Sequence, residues 1–252
     1  MYKTLTDTLF IGKNIISLSK CHSTNDMAAD ILRSNRLFEG TVIITQEQTI
    51  GKGQRGNIWK SQPNLNLTFS VVLAPKFLQI KDQFFLNIIT SLAITDALSD
   101  LVKVALKIKW PNDIYSSEKK LGGILIENSV KGNVLHSAVI GIGLNINQKE
   151  FDGLPNATSM SNISNKGFDL EKVLNAVLRN IERRYLQLKS GEFKQLRQAY
   201  LKKLYWYQEE HTFLSDSEFV GVIIGIDEYG KLLIEIGDET KAFDLKEVKF
   251  VR

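Results

Sequence analysis

The chain has little cysteine, little histidine and little surplus charge, and each shortage excludes something. Cys21 is the only cysteine in 252 residues, so no internal disulfide can form, and a reducing compartment is expected. The three histidines, His22, His136 and His211, show no metal-ligand spacing. A net charge of +4, with acids and bases interspersed, leaves no electrostatic footprint for nucleic acid. Asp7 interrupts the first apolar stretch, so no signal peptide is expected, and no apolar run is expected to span a bilayer. The localisation expected is cytoplasmic. Low-complexity tracts and repeats are absent from the sequence. What is present, 43% hydrophobic and 24% charged residues, fits an ordinary globular protein with a substantial core.

Hydrophobic periodicity predicts strands near Asn14–Leu18 and over Thr41–Thr45, Leu67–Leu73, Ala105–Ile108, Leu121–Glu127 and Ser137–Asn145. It predicts helices over Ser23–Arg33, Phe84–Leu101, Leu170–Leu188 and Phe193–Leu204. Ser23 with Asp26 three residues later resembles a capping box. After Tyr205 the texture changes to short alternating runs, Glu218–Asp227, Lys231–Ile236 and Lys241–Val251, with turn signals at Asp227-Glu228-Tyr229-Gly230 and Gly237-Asp238. These runs predict a small antiparallel sheet or barrel. The expected organisation is one α/β unit over residues 1–205 and a second unit over 206–252.

The densest motif is Gln48-Thr49-Ile50-Gly51-Lys52-Gly53-Gln54-Arg55-Gly56-Asn57-Ile58-Trp59. Glycines at this spacing allow sharp turns and leave backbone N–H groups accessible to an anion. Lys52 and Arg55 add positive charge. The segment is neither a P-loop nor a dinucleotide-binding turn; a basic surface loop is the bland alternative.

Four further segments accompany it: Ser23-Thr24-Asn25-Asp26, Lys109-Trp110-Pro111-Asn112-Asp113-Ile114-Tyr115, Lys120-Leu121-Gly122-Gly123-Ile124-Leu125-Ile126-Glu127 and Gly141-Ile142-Gly143-Leu144-Asn145-Ile146-Asn147. In this order the five resemble the catalytic domain of biotin–protein ligases, or biotin–[acetyl-CoA-carboxylase] ligases, over roughly residues 10 to 250. The resemblance implies an α/β fold: a mixed sheet with flanking helices, like the class II synthetase-like catalytic domain, followed by a small SH3-like β-barrel. It implies that biotin and ATP react to biotinyl-5′-AMP and pyrophosphate, with Mg²⁺, and that a lysine of a biotin carboxyl carrier domain then displaces AMP.

Such a reaction needs no covalent enzyme intermediate. It needs cations and N–H groups that align two anions and neutralise the charge that develops. By the resemblance Lys120 is the key cation, contacting the biotin carboxylate and the activated phosphate; by composition alone it reads as a solvated turn lysine. Lys52, Gly53 and Gln54 match the part of the loop that touches the adenylate, with Arg55 beside them. The loop departs from the family's arginine-rich pattern, since Lys52, Gln54 and Asn57 stand where arginines are usual. Looser retention of the adenylate is the expectation, because neither Lys nor Gln offers a bidentate fork. Ser23, Thr24, Asn25 and Gln48 are candidates for the ureido ring of biotin, or serve as helix capping. Trp59 and Asn145 are candidates for the nucleotide, or a hinge anchor and a strand-end residue. Asp113 is expected to orient or deprotonate the incoming lysine, to sit near Mg²⁺, or to cap local backbone. No metal ligands can be assigned.

About twenty residues precede Ser23, too few for a helix-turn-helix module, so a monofunctional enzyme is expected, with no DNA and no membrane partner. A lipoate–protein ligase or octanoyl transferase is the alternative enzyme, and a cofactor-sequestering module the alternative class. A homodimer is left open. The barrel's usual Gly-Glu ending reads Lys246-Glu247 here, which leaves its terminal contacts, Arg252 included, unassigned.

Overall fold

The computed structural model describes residues 2–34 and 38–251, with the backbone alone at Arg55. Arg252 and the side chain of Arg55 therefore lie outside the described residues. Strands β1 (Ile15–Cys21), β2 (Val42–Gln48), β3 (Leu67–Leu73), β4 (Lys107–Lys109), β5 (Asp113–Ser116), β6 (Lys119–Lys131) and β7 (Val134–Leu144) form one sheet in the order β1-β2-β3-β7-β6-β5-β4. Only β1 and β2 run parallel, joined by helix α1 (Thr24–Arg33); the other neighbours are antiparallel. The mixed sheet with flanking helices matches the expected fold class.

Side-chain alternation gives this sheet two different faces. Along β3, Leu67, Phe69, Val71 and Leu73 enter the main core, and along β7 so do Ala138, Ile140, Ile142 and Leu144. The intervening positions point the other way. They are Thr68, Ser70 and Val72 on β3 and Val139, Gly141 and Gly143 on β7, with Ser70 opposite Gly141 and Thr68 opposite Gly143. Val72 and Val139 join Ile43 and Ala28 in a small second cluster beneath α1. The remaining positions on that face border an open cleft.

The core face is covered by α2 (Phe84–Val102), α4 (Leu170–Lys189) and α5 (Phe193–Lys203); the short α3 (Met160–Ser164) precedes α4. Helix α2 is buried at positions all round its circumference, not along one stripe. The stretch Ile80–Val102 is long and apolar enough by length and composition to cross a membrane. This overturns the expectation that no such run exists. Most of the stretch is buried inside the protein, as befits the central helix of a large core.

Helix α4 starts where Asp169 accepts from the N–H groups of Glu171 and Lys172, and its buried stripe runs Val173, Leu174, Val177, Leu178, Ile181, Tyr185 and Leu188. Glu182 interrupts that stripe. Its buried carboxylate accepts from the backbone N–H groups of Leu9 (2.6 Å), Phe10 (2.8 Å) and Ile11 (2.9 Å), which offsets the cost of burying a charge. Periodicity cannot show this clamp, because its donors are backbone groups over 170 residues away.

Strands β8 (Glu210–Leu214), β9 (Glu218–Ile226), β10 (Leu232–Ile236), β11 (Glu239–Phe243) and β12 (Lys249–Phe250) make a second, antiparallel sheet in the order β11-β10-β9-β8-β12. The sequence reading missed β5 and β8, and took β11 and β12 as one run. The sheets are tied where the Trp110 indole donates to the Gly230 carbonyl at 2.8 Å. Gly230 has φ +90°, and an added Cβ would lie 2.1 Å from the Phe84 ring, so only glycine fits that junction.

Candidate functional site

All five motifs meet at one cleft of about 500 Å³. The α1 start contributes Ser23–Asn25, the glycine-rich segment Lys52–Gln54 and Asn57–Trp59, the β4–β5 turn Lys109–Asp113, β6 Lys120 and Gly123–Leu125, and β7 Gly141–Gly143. A further wall, whose contacts the sequence left unassigned around Lys246-Glu247, comes from the second sheet, through Leu245, Lys246 and Val248–Phe250. Lys246, where the resemblance expects glycine, has φ +72°.

The Ser23 end is a dense polar network. Gln48 Oε1 accepts from the Thr24 N–H at 2.8 Å and lies 3.2 Å from its hydroxyl. The Asn25 amide nitrogen reaches Glu127 Oε2 (2.7 Å) and the Leu125 carbonyl (3.3 Å), while its oxygen lies 2.6 Å from Ser70 Oγ. Both amide protons of Asn25 are thus engaged within the protein, and the residue holds the wall in shape. Gly141 is required beside it, since an added Cβ would fall 2.4 Å from Asn25 Oδ1. Ser23 makes no side-chain cap on α1, so the capping-box expectation fails; its hydroxyl, although buried, lines the cleft. Ser70 and Glu127 were missed as network members. The signal for Ser70 was the polar alternation Thr68, Ser70 inside an apolar strand.

The glycine-rich segment is a folded hairpin, not an open anion cradle. Gly53 N–H donates to the Asn57 carbonyl (2.7 Å), Asn57 N–H to Gln54 (3.3 Å) and Trp59 N–H to Gly51 (2.9 Å), and Lys52 pairs with Ile58 across it. This corrects the expectation of bare N–H groups at Gly53. Positive charge on the first strand of the hairpin comes from Lys52, whose ammonium lies 2.5 Å from Asp26 Oδ1. That hydrogen bond raises the Lys52 pKa above its ordinary value.

Trp59 lies flat on Gly143, where an added Cβ would sit 2.3 Å from the indole. Its Nε1 is buried with no partner. The ring and Lys120 border both the main cleft and an adjoining cavity of about 240 Å³, lined further by Tyr115, Asn145, Phe151 and the 153–157 segment. Lys120 Nζ lies 2.7 Å from Asp113 Oδ1 and 5.9 Å from the Trp59 ring centroid. Its backbone is pinned on both sides, donating to Asn156 (2.7 Å) and accepting from Thr158 (2.9 Å). The neighbouring Gly122 serves the sheet, because a Cβ there would meet Leu144 at 2.6 Å. Asn145, only 4% exposed, donates to the Thr158 carbonyl at 3.0 Å and leaves Oδ1 without a partner. The main cleft and the adjoining cavity thus meet at one cation, and each presents a buried polar atom in want of a partner.

Asp113 is the one acidic residue lining the cleft among the described residues, and no group of three His, Cys, Asp or Glu side chains comes together among them. A dedicated protein cage for a metal is therefore not supported. Magnesium is held largely by phosphates and water, with one or two carboxylates, so it fits here only as part of a bound nucleotide.

Comparison with known proteins agrees with this geometry. The profile of the biotin/lipoate A/B protein ligase family matches residues 18–145. The bifunctional ligase/repressor BirA of Bacillus subtilis is 30% identical over 243 residues, covering 93% of this chain and 73% of that protein. The biotin–[acetyl-CoA-carboxylase] ligase of Mycobacterium tuberculosis is 26% identical, covering 99% and 95%. The biotin protein ligase from Aquifex aeolicus, solved in complex with biotin and ATP, superposes with a TM-score of 0.80 at 30% identity, over 95% of this chain and 99% of that one. This chain belongs to the biotin/lipoate A/B protein ligase family.

Proposed function

We propose that the protein is an ATP-dependent biotin–protein ligase. It joins biotin to ATP as biotinyl-5′-AMP, releasing pyrophosphate, and passes the biotinyl group to a lysine on a biotin carboxyl carrier domain. The observation that carries this reading is the position of Lys120 at the junction of the two cavities, beside the orphaned Trp59 Nε1.

Biotin occupies the larger cleft, with its ureido ring toward Ser23, Thr24 and Gln48 and its carboxylate toward Lys120. The nucleotide fills the adjoining cavity, its base toward Asn145, whose unpaired Oδ1 accepts from an exocyclic amine. Trp59 offers a stacking face and an N–H donor between them. The carboxylate and the α-phosphate, which repel each other in water, meet where Lys120 neutralises both as the carboxylate oxygen attacks phosphorus and pyrophosphate leaves. Lys52 adds charge at the mouth, and Arg55 is the second cation of the same sequence segment. Asp113 holds Lys120 in place during this step. In the second step its carboxylate accepts a proton from the incoming lysine, which attacks the acyl carbon and expels AMP.

Residues 1–205 form the catalytic unit and 206–252 the small barrel, a division supported by the change from the seven-stranded to the five-stranded sheet between α5 and β8. The compartment is the cytoplasm, consistent with the lone Cys21 thiol. The test is ATP–pyrophosphate exchange, run separately with biotin and with lipoate, on the wild type and Lys120→Ala. Exchange that requires biotin and is lost with Lys120 supports the reading; exchange with lipoate alone replaces it by a lipoate ligase.

A further inference from the structure

The Asp26–Lys52 ion pair joins α1 to the glycine-rich hairpin beyond the anchor that Gln48 makes on Thr24. Asp26 lies in the first turn of α1 and does not line the cleft, whereas Lys52 does. Their side chains are 42% and 45% exposed and meet at 2.5 Å. Ser23 does not cap α1 through its side chain, and the Asp26 carboxylate pairs with Lys52 instead of closing a capping box. On the other side, Lys52 opens the hairpin that Gly53, Asn57 and Trp59 close by backbone bonds. That hairpin is hinged below the pair, where Thr49 and Ile50 donate to the carbonyls of Cys21 and His22. Beyond the hinge stand Gly51, which meets the Trp59 carbonyl so closely that a Cβ would lie 2.3 Å away, and the exposed Ile58.

We propose that Asp26 is a positioning residue that latches the glycine-rich hairpin to α1 through Lys52, and so keeps the activated intermediate in the cleft. The latch fixes the first strand of a hairpin whose own bonds are local, and it acts on the same wall that Trp59 completes. Its part in retaining an acyl-adenylate rests on the proposed ligase reading. Its mechanical part, holding the hairpin closed, does not.

The pair is half exposed, so its effect is modest and screened by salt. Two measurements separate the parts. In the ligand-free protein, amide hydrogen exchange at Gly53, Asn57 and Trp59 is expected to speed up about three-fold in Asp26→Asn and to stay near wild type in Asp26→Glu. Unchanged exchange in Asp26→Asn overturns the latch, whatever the protein's reaction. With biotin and ATP, Asp26→Asn is expected to release biotinyl-5′-AMP about three-fold faster at low salt, with the rate of pyrophosphate exchange at saturating substrate kept and the difference gone in 1 M salt, where the screening length is about 3 Å. Asp26→Asn added to Lys52→Met is expected to change nothing further, because both remove the same contact. Additive effects of the two substitutions, or a release rate indifferent to Asp26, overturn the retention role. If the amides respond but biotin supports no pyrophosphate exchange in the wild type, the latch stands and the ligase reading is what fails.

Discussion

The two faces of the seven-stranded sheet are built from the same strands to opposite rules. On the helical face, β3 and β7 present Leu67, Phe69, Val71, Ile140, Ile142 and Leu144, all 2% exposed or less. Every position is filled, and the neighbouring helices leave no room. On the cleft face the same strands present Thr68, Ser70, Gly141 and Gly143, and the space that larger side chains would fill is taken by Asn25 and the Trp59 indole. Where the first face buries apolar surface, the second leaves polar atoms at Trp59 and Asn145 unpaired. Along β3 the odd positions supply stability and the even positions Thr68 and Ser70 face the cleft, and along β7 the parity is reversed. Substitutions one residue apart are expected to fail in different assays.

The sharpest test sets Phe69→Ala against Lys120→Ala. The first leaves a cavity in the core and is expected to cost about 3–5 kcal/mol of stability, read as a fall in the denaturation midpoint, with catalysis kept in whatever fraction stays folded. The second is expected to lower biotin-dependent pyrophosphate exchange by about 10²–10³-fold with the midpoint nearly unchanged. If Lys120→Ala unfolds the protein, or Phe69→Ala selectively abolishes exchange, the division between the faces is wrong.

Gly143→Ala follows in size. The added methyl displaces the Trp59 ring, which it would otherwise meet at 2.3 Å. Loss of a stacking platform of this kind weakens nucleotide binding by about ten-fold, as for other aromatic contacts of about 1–1.5 kcal/mol. The rise is expected in the KM for ATP, with the denaturation midpoint moving less than for Phe69→Ala. An unchanged KM would detach Trp59 from the nucleotide.

The smallest expected effect lies among the helices. Burial opposes ionisation of Asp96, yet hydrogen bonds from Arg184 (2.5 Å) and Lys203 (3.0 Å) win and hold its pKa below the ordinary 3.8. A depressed carboxylate contributes its stability in full above the unfolded value and loses it as pH falls through the folded one. Asp96→Asn is therefore expected to cost about 1 kcal/mol at neutral pH, a gap that closes as pH drops below 3.8. Denaturant titrations at pH 7 and in acid measure it; a gap that widens in acid would refute the assignment.

Much of this division was legible in the sequence, for physical reasons. Helices α1, α2, α4 and α5 carry runs of period 3.6 and emerge with ends shifted by a residue at most, whereas the strands, found by their buried β-branched runs, have ends shifted by up to four residues where polar positions extend them. Strand β5 escaped because Asp113-Ile114-Tyr115-Ser116 is too short for a period to show and begins two residues after Pro111. Strand β8 escaped because its charged and half-exposed residues, Glu210 and His211, dilute the alternation. In the cleft, Ser23, Thr24, Gln48, Lys52, Lys120 and Asp113 came together as their motifs implied. Glu127 behind Asn25, Trp59 on Gly143 and the wall at Leu245–Phe250 did not emerge, because each depends on partners brought close by topology and not by spacing. The Ser23-x-x-Asp26 pattern misled for the opposite reason: the local signal was present, but Lys52 offers Asp26 a charged partner and the cap is not formed.

The wall that the second sheet lends to the cleft bears on the order in which the molecule comes into being. The binding surface starts at Ser23 and is not enclosed until Leu245–Phe250 are in place. The Trp110 indole likewise waits for the carbonyl of a residue 120 positions later. Gly230 and Leu245–Phe250 are synthesised after the residues of helices α2, α4 and α5. On the ribosome, the helical face can consolidate while the cleft still lacks one side, so an emerging chain gains its fold before its affinity for ligand.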